Sequence, residues 1–152
     1  MEWEKVTIQK MDLHDLDEVI SLESSHPGTQ WSRNMFVEEM RNPLGHCFVM
    51  KMEHQIEQHV IGFICFRNVE EESELFNICV HADYRRSGVG KRLMGFYVEF
   101  GRLRGIKNFH LEVLSSNQAA IHLYQLFSYE SSGMRKKFYR GKFDALLMTR
   151  KA

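Results

Sequence analysis

Residues 75–91 have the sequence LFNICVHADYRRSGVGK. An apolar run over 75–80, typical of a buried strand, is followed by a short polar loop that ends in two arginines and two glycines. Beyond Gly88 the apolar residues recur at helical spacing: Val89, Leu93, Phe96, Tyr97 and Phe100. The stretch therefore predicts a strand, a glycine-rich turn and an amphipathic helix, in that order.

The predicted turn suits an anion with several oxygens, such as a pyrophosphate. A helix N-terminus directs free backbone N–H groups to one point, where the helix dipole adds positive potential. Gly88 and Gly90 lack a Cβ atom, so the backbone can approach a ligand closely. Arg85, Arg86 and Lys91 add positive charge. The spacing is neither that of a P-loop nor that of the dinucleotide fingerprint, and the alternative is an exposed basic loop.

The whole-chain composition predicts one globular domain over residues 1–152. The length is that of one domain, 43% of the residues are hydrophobic, and a formal net charge of zero favours no nucleic-acid binding. We find no signal peptide and no stretch long enough to cross a bilayer, and expect a cytoplasmic protein without membrane association. Cys47, Cys65 and Cys79 are predicted to be reduced core thiols, and the scattered histidines predict no metal site.

Hydrophobic periodicity along the chain predicts the element order β-α-α-β-β-β-α-β-α-β-β. The predicted strands cover 6–10, 47–52, 60–66, 75–80, 109–114, 134–139 and 143–148. Helices are expected after Asp12, Ser32, Gly88 and Ser116-Asn117, with the first apolar face formed by Leu13, Leu16, Val19, Ile20 and Leu22. Pro27-Gly28 breaks the first helix, Gly105 ends the third, and Arg140-Gly141 joins the last two strands. A mixed sheet with helices on both faces is the expected packing.

A second informative block, LEVLSSNQAAIHLY, covers 111–124. Glu112 falls in a strand that otherwise has a core pattern, where a carboxylate is costly unless it is paired, hydrated or used. The alternative is an edge-strand glutamate that faces water. Asn117 is explained by helix capping alone, and Tyr124 by packing on the apolar side of a helix.

The segment from Arg85 to Gly90, Arg-x-x-Gly-x-Gly, resembles the acetyl-CoA pyrophosphate loop of the GCN5-related N-acetyltransferase (GNAT) superfamily. Over most of its length the chain also resembles the bacterial ribosomal-protein-alanine N-acetyltransferases, the RimI type. The matching segments are Trp31-Ser32, 75–80, 84–90, 111–113, Ser116-Asn117, Ala119-Ala120, Leu123-Tyr124, Phe138-Tyr139, Asp144-Ala145 and Met148. Departures from that subgroup fall at Leu114, Ser128-Tyr129, Phe138 and Phe143, and they bear on the acceptor. The resemblance implies an α/β (α+β) fold with a mixed, mostly antiparallel central sheet of about seven strands flanked by about four helices.

The resemblance also implies an acetyl-CoA-dependent N-acetyltransferase that uses no metal. It assigns the backbone of Ile78, Cys79 and Val80 to the pantetheine arm, with an N–H group near Val80 polarising the thioester carbonyl. The pyrophosphate loop comprises Arg85, Arg86, Ser87, Gly88, Val89, Gly90 and Lys91, and Asn117 contacts the cofactor. Glu112 matches the general base and Tyr124 the general acid of a direct transfer, which we favour over a covalent route through Cys79.

The acceptor implied by the resemblance is the N-terminal α-amine of a protein, with a ribosomal protein alanine as the favoured case. The alternatives are a small-molecule amine or a lysine, or a non-catalytic acyl-CoA-binding module. An acidic run at Glu70, Glu71, Glu72 and Glu74 is predicted to be a solvated hairpin turn. Alternatively, Glu71 and Glu72 help to recruit a basic peptide.

Overall fold

The computed structural model describes residues 1–25, 30–139 and 143–152, and for Phe138 and Tyr139 it describes the backbone alone. The helices are α1 (Leu16–Glu23), α2 (Arg33–Arg41), α3 (Val89–Leu103) and α4 (Gln118–Leu126). The strands are β1 (Val6–Lys10), β2 (Gly45–His54), β3 (Glu57–Val69), β4 (Glu72–Val80), β5 (Asn108–Leu114), β6 (Glu130–Tyr139) and β7 (Phe143–Lys151). This order confirms the predicted one. The predicted Pro27-Gly28 break and Arg140-Gly141 turn lie outside the described residues.

The seven strands form one sheet in the order β1-β2-β3-β4-β5-β7-β6. Neighbouring strands run antiparallel except β4 and β5, which run parallel. The prediction of a mixed, mostly antiparallel sheet with four helices is therefore confirmed. In the described part of the chain, no helix is long and apolar enough to span a membrane.

The parallel pair β4–β5 is joined over a short distance only. Its ladder extends from Glu72 opposite Asn108 to Leu75 opposite Leu111. Directly after Leu75, β4 contains a bulge, because Phe66 of β3 pairs with Leu75 and Cys65 pairs with Asn77. Phe76 is thus an extra residue that bends the strand. The two strands part at this point, and a cavity opens between their ends.

The bulge also changes which helix layer the alternate residues of β4 face. Before it, the Ser73 and Tyr97 hydroxyl oxygens are 2.7 Å apart, on the α3 side of the sheet. After it, Asn77 Nδ2 donates to Glu23 Oε2 of α1 at 2.8 Å, on the other side. In a regular strand Ser73 and Asn77, four residues apart, would share a face, so the bulge at Phe76 reverses the alternation. The second half of β4 is therefore anchored to α1 by its alternate residues.

The two sheet faces carry separate cores. The α3 and α4 side buries residues of β3, β5 and both helices, among them Ile61, Phe66, Leu93, Tyr97, Phe109 and Ile121. The α1 and α2 side buries Leu16, Val19, Leu22, Phe36, Val49 and Phe63. Apolar faces on both sides of the sheet are what fix the helices in two layers.

The first helix starts later than predicted. Residues Leu13–Asp15 form a 3-10 turn, in which the Asp12 side chain accepts from His14 N at 2.8 Å and Asp12 N donates to Asp15 Oδ2 at 2.9 Å. The prediction that Leu13 lies on the buried helical face is wrong, since it is 59% exposed. Asp12 is an N-cap, as predicted, but it caps the 3-10 turn that precedes α1 and not the helix itself.

Candidate active site

A cavity of about 980 Å³ lies between the separated ends of β4 and β5. Most of the predicted site residues line it: Ile78, Cys79, Val80, Arg85, Arg86, Gly88, Gly90, Lys91, Glu112, Asn117 and Tyr124. Ser87 and Val89 do not. The side chain of Val89 is 1% exposed within the α3 core, so this residue has only its backbone to offer a ligand. The structure thus brings two distant sequence blocks to one cavity.

The predicted pyrophosphate loop is a left-handed turn followed by a long helix. Arg86 has φ +64° and Gly88 has φ +90°, and Gly88 is the N-cap of the 15-residue helix α3. No described side chain caps this end, and Arg92 N makes the first bond of the helix, to Gly88 O at 3.0 Å. The earlier N–H groups of the first turn therefore remain available for an anion.

Close packing also disfavours a side chain at both glycines of the loop. A Cβ atom on Gly90 would lie 3.2 Å from Leu123 Cδ2, and one on Gly88 would lie 3.3 Å from Trp3 Cζ2. The Trp3 ring in turn carries the Arg92 guanidinium, 4.4 Å above its centroid. Sequence reasoning missed Trp3, because its position 85 residues before the loop gives no local signal.

Cys79 contributes its backbone to the cavity wall, and its thiol faces away. Sγ donates to the Leu22 carbonyl at 3.4 Å on the α1 side. Burial, reinforced by the Glu23 carboxylate, raises the pKa of this thiol to about 12. A thiol held in this state is a poor nucleophile, which supports the prediction of a direct transfer.

Glu112 lies on an interior strand, so the edge-strand alternative is wrong. Strand β5 has β4 on one side and β7 on the other, and Glu112 alternates with the buried Leu111 and Val113. Its side chain is 20% exposed, and Oε1 is 3.0 Å from Arg135 Nη2. Burial raises the pKa of Glu112, Arg135 opposes this change, and the Glu74 carboxylate adds to it. A carboxylate with a raised pKa on a cavity wall is a candidate base.

The other two predicted residues line the cavity at α4: Asn117 precedes the helix and Tyr124 lies within it. Asn117 Oδ1 accepts from Ala120 N at 3.2 Å, so it caps α4 as predicted and its amide nitrogen remains for a ligand. Tyr124 is buried at the cavity wall, with its ring 5.9 Å from that of Tyr129. The roles of both side chains toward a ligand stay predictions.

The acidic run is divided between a turn and a strand. Glu70 and Glu71 form the turn, whereas Glu72 and Glu74 belong to β4, so the predicted turn is too long. Glu71 Oε2 is 2.8 Å from Lys107 Nζ, and Glu72 bonds His110 and Asn108. Neither of these carboxylates lines the cavity, whereas Glu74 does.

Sequence reasoning missed two charged residues at the Glu112 end of the cavity, Glu74 and Arg135. The sequence pattern places Glu74 in the predicted solvated turn. Arg135 comes from β6, which lies two strands away from the strand of Glu112. Only the strand order reveals that they meet. Within the described residues, no group of three or more His, Cys, Asp or Glu side chains could hold a metal ion.

A separated strand pair beside an anion-binding helix end suits acyl transfer from a coenzyme A thioester. Residues 11–129 match the model of the Acetyltransferase (GNAT) family, and the chain therefore belongs to that family. The predicted enzyme class, an acetyltransferase, is confirmed with it.

Relatives support the subgroup as well. The [ribosomal protein bS18]-alanine N-acetyltransferase of Escherichia coli K12 is 29% identical over 147 residues, covering 93% of this chain and 95% of the relative. The crystal structure of the ribosomal-protein-S18-alanine N-acetyltransferase from Escherichia coli superimposes with a TM-score of 0.85 at 28% identity, covering 96% of this chain and 93% of the other. The predicted resemblance is confirmed.

A more distant structure shares the fold. Arabidopsis thaliana NAA60, in complex with acetyl-CoA, has a TM-score of 0.85 at 16% identity, with coverage of 96% of this chain and 98% of the other. Membership of the acetyltransferase family, and not this distant structure, confirms the predicted acetyl-CoA cosubstrate.

Proposed function

We propose that this protein transfers the acetyl group of acetyl-CoA to the N-terminal α-amine of a protein, with the N-terminal alanine of a ribosomal protein as the favoured acceptor. The observation that carries the proposal is the interior carboxylate of Glu112, on the wall of a cavity that begins at the N-terminus of α3. The name of the Escherichia coli relative, together with its 29% identity over 147 residues, supports the choice of acceptor.

The residues of the cavity fit acetyl-CoA. The N–H groups at the start of α3 suit the pyrophosphate, and Arg85, Arg86 and Lys91 add charge for it. The parted edges of β4 and β5 leave backbone groups that can pair with the amides of a pantetheine arm. An N–H group near Val80 would polarise the thioester carbonyl and stabilise the oxyanion.

The chemistry requires one base and benefits from one acid. An N-terminal ammonium has a pKa near 8, so a modest base frees its lone pair. Glu112 takes this proton, directly or through water, and its raised pKa makes it a better match for that task. The amine nitrogen then attacks the acetyl carbon, the C–S bond breaks, and the Tyr124 hydroxyl protonates the departing thiolate. The second proton, which the nitrogen loses as it becomes an amide, returns to Tyr124 through water.

A peptide panel tests the proposal. Purified protein and acetyl-CoA are offered Ala-initiated peptides, the same peptides with a blocked N-terminus and an internal lysine, polyamines and aminoglycosides. We expect acetylation of the free α-amine, located by fragmentation mass spectrometry. Turnover of the blocked peptides or of the small amines alone would replace the proposed acceptor by the corresponding alternative, and no turnover with tight acetyl-CoA binding would favour a binding module.

Glu74→Gln should raise the KM for a cationic acceptor by roughly tenfold, the scale of one hydrogen-bonded charge. Glu74 is the second carboxylate on the cavity wall beside Glu112, so its charge attracts the ammonium that must reach the base. Acetyl-CoA affinity should stay unchanged, as measured by calorimetry.

The double variant Glu71→Lys/Glu72→Lys is the control for Glu74. Its two positions lie outside the cavity, on the same hairpin. The increase in the KM for the acceptor is compared between the two variants at low salt. A larger increase in the double variant than in Glu74→Gln would favour the alternative that the acidic turn recruits the peptide. Exposed charges act weakly beyond about 10 Å at 0.1 M ionic strength, so the measurements are made at two salt concentrations.

A further inference from the structure

The side chain of Arg135 extends along one face of the sheet, over β7, and its guanidinium reaches Glu112. Arg135 Nη2 is 3.0 Å from Glu112 Oε1, although β7 lies between their strands. The ladders set Arg135 opposite Ala145 and Glu112 opposite Leu147. Residues 145 and 147 share a face, and directly opposed residues do too, so both side chains stand on the same side of the sheet. The two strands are two spacings apart, about 10 Å, and the long side chains of Arg135 and Glu112 together cover this distance.

Other charged and titratable groups surround Glu112. They are Glu74 from β4, His110 from the same strand and Arg135 from β6, while β7 contributes the uncharged Leu147 and Tyr124 of α4 lines the same cavity. His110 is engaged elsewhere, with Nε2 3.0 Å from Glu72 Oε1 and Nδ1 3.1 Å from Thr149 Oγ1. Among the described residues, Arg135 is therefore the cation that the structure pairs with Glu112.

Arg135 balances an environment that otherwise favours a protonated carboxyl group. Burial raises the pKa of Glu112, the Arg135 charge lowers it, and the Glu74 charge raises it again. A protonated carboxyl group cannot accept the proton of an amine. Removal of the guanidinium raises the pKa further, so at a given pH a smaller fraction of Glu112 is ionised.

The charge count at this end of the cavity matches a cationic acceptor. Glu74 and Glu112 supply two carboxylates and Arg135 one guanidinium, which leaves one formal negative charge that a single ammonium neutralises. The Arg135 side chain is 54% exposed, so its guanidinium can move aside into water when the ammonium arrives.

We propose that Arg135 is a positioning residue for the transfer, holding Glu112 ionised and against the cavity wall as a stand-in for the ammonium of the acceptor. The inference rests on the proposed function only in taking Glu112 as the base. It adds a third participant to the reaction, contributed by the edge strand β6.

The direct test is a carboxyl ¹³C NMR titration of the protein without acceptor, in which the Glu112 signal is assigned by its loss in Glu112→Gln. In Arg135→Met, which keeps a long unbranched side chain and removes the charge, the Glu112 midpoint should move to higher pH. In Arg135→Lys it should stay close to the wild-type value. An unmoved midpoint in Arg135→Met overturns the proposal.

Lys136→Met is the matched control. Lys136 is the next residue on β6, and its Nζ lies 3.6 Å from Asp144 Oδ2. This variant removes a cation from the same strand, and the Glu112 midpoint should not change. An equal shift in Lys136→Met would mean that the general charge of β6 acts, and not the ion pair, which also overturns the proposal.

The kinetic test uses the pH profile of kcat/KM for an accepted peptide. In Arg135→Met the midpoint of the acid limb should move to higher pH by the same amount as the NMR midpoint. At a given pH on that limb, kcat/KM should fall roughly tenfold for each pH unit of this shift, while the plateau at alkaline pH should keep its wild-type value. A lowered plateau with an unmoved limb would indicate a different role and contradict the proposal. If the wild type acetylates no peptide, the proposed function fails, while the NMR titration still decides the Arg135–Glu112 coupling.

Discussion

Glu112→Gln should lower kcat by roughly 10²–10⁴-fold, the usual contribution of a positioned general base. Glutamine keeps the size and hydrogen-bonding reach of glutamate but cannot take up the proton of the amine. The fold should persist, because the ion pair that is lost is partly exposed and contributes little to stability. Steady-state kinetics with acetyl-CoA, together with calorimetric titration of coenzyme A, would measure turnover and cofactor affinity separately.

The pH dependence distinguishes the role of Glu112 from a packing defect. The wild-type rate should decline as pH falls through the raised pKa of Glu112, since a base works only when it is ionised. In Glu112→Gln this limb should disappear. Glu99→Gln, an exposed position on α3, serves as the control and should behave as wild type. An unchanged kcat with the same acid limb in Glu112→Gln would assign the proton transfer to solvent or to another residue.

Gly88→Glu should raise the Kd for acetyl-CoA by roughly 10²–10³-fold. The substitution puts a carboxylate at the N-terminus of α3, where the pyrophosphate is expected. Two like charges 4 Å apart repel by about 4 kcal/mol at an effective dielectric constant of 20, and each 1.4 kcal/mol is about tenfold in Kd. Because Gly88 has φ +90°, any side chain there also costs about 1–2 kcal/mol of folding stability.

The chain offers a matched control for that strain. Gly105 has φ +83°, follows the other end of α3, and a Cβ atom there would meet nothing within 4 Å. Gly105→Glu therefore introduces the same charge and a similar backbone cost away from the cavity. Thermal unfolding should show comparable losses for both variants, with acetyl-CoA affinity impaired in Gly88→Glu alone. Equal affinities in two folded variants would remove the pyrophosphate assignment from this loop.

Local patterns were enough to predict the features that depend on neighbours in the chain. Ser32 accepts from Met35 N at 3.3 Å and Asn117 caps α4, because both preferences act within three residues. Gly88 and Gly105 have the positive φ values that glycine adopts without a Cβ penalty. The family motifs lie at such places, which is why most of the candidate site could be named in advance.

Features that depend on the strand order could not be predicted. Arg135 and Glu112 meet because the sheet order places β6 two strands from β5, with β7 between them. No spacing in the sequence encodes that order. The bulge at Phe76 alters the simple alternation of β4 beyond Leu75, so the sequence pattern does not show which later residues of the strand face the cavity.

The gap between β4 and β5 links the folding equilibrium to the supply of cosubstrate. In the described part of the chain the β4–β5 ladder ends at Leu75 and Leu111, and beyond these residues the two strands border the cavity. A ligand that binds the folded chain there, and not the unfolded one, stabilises the fold by about 2.7 kcal/mol at a concentration of 100 times its Kd. The abundance of a marginally stable variant of this protein would therefore follow the acetyl-CoA level of the cell, even when the substitution lies far from the cavity.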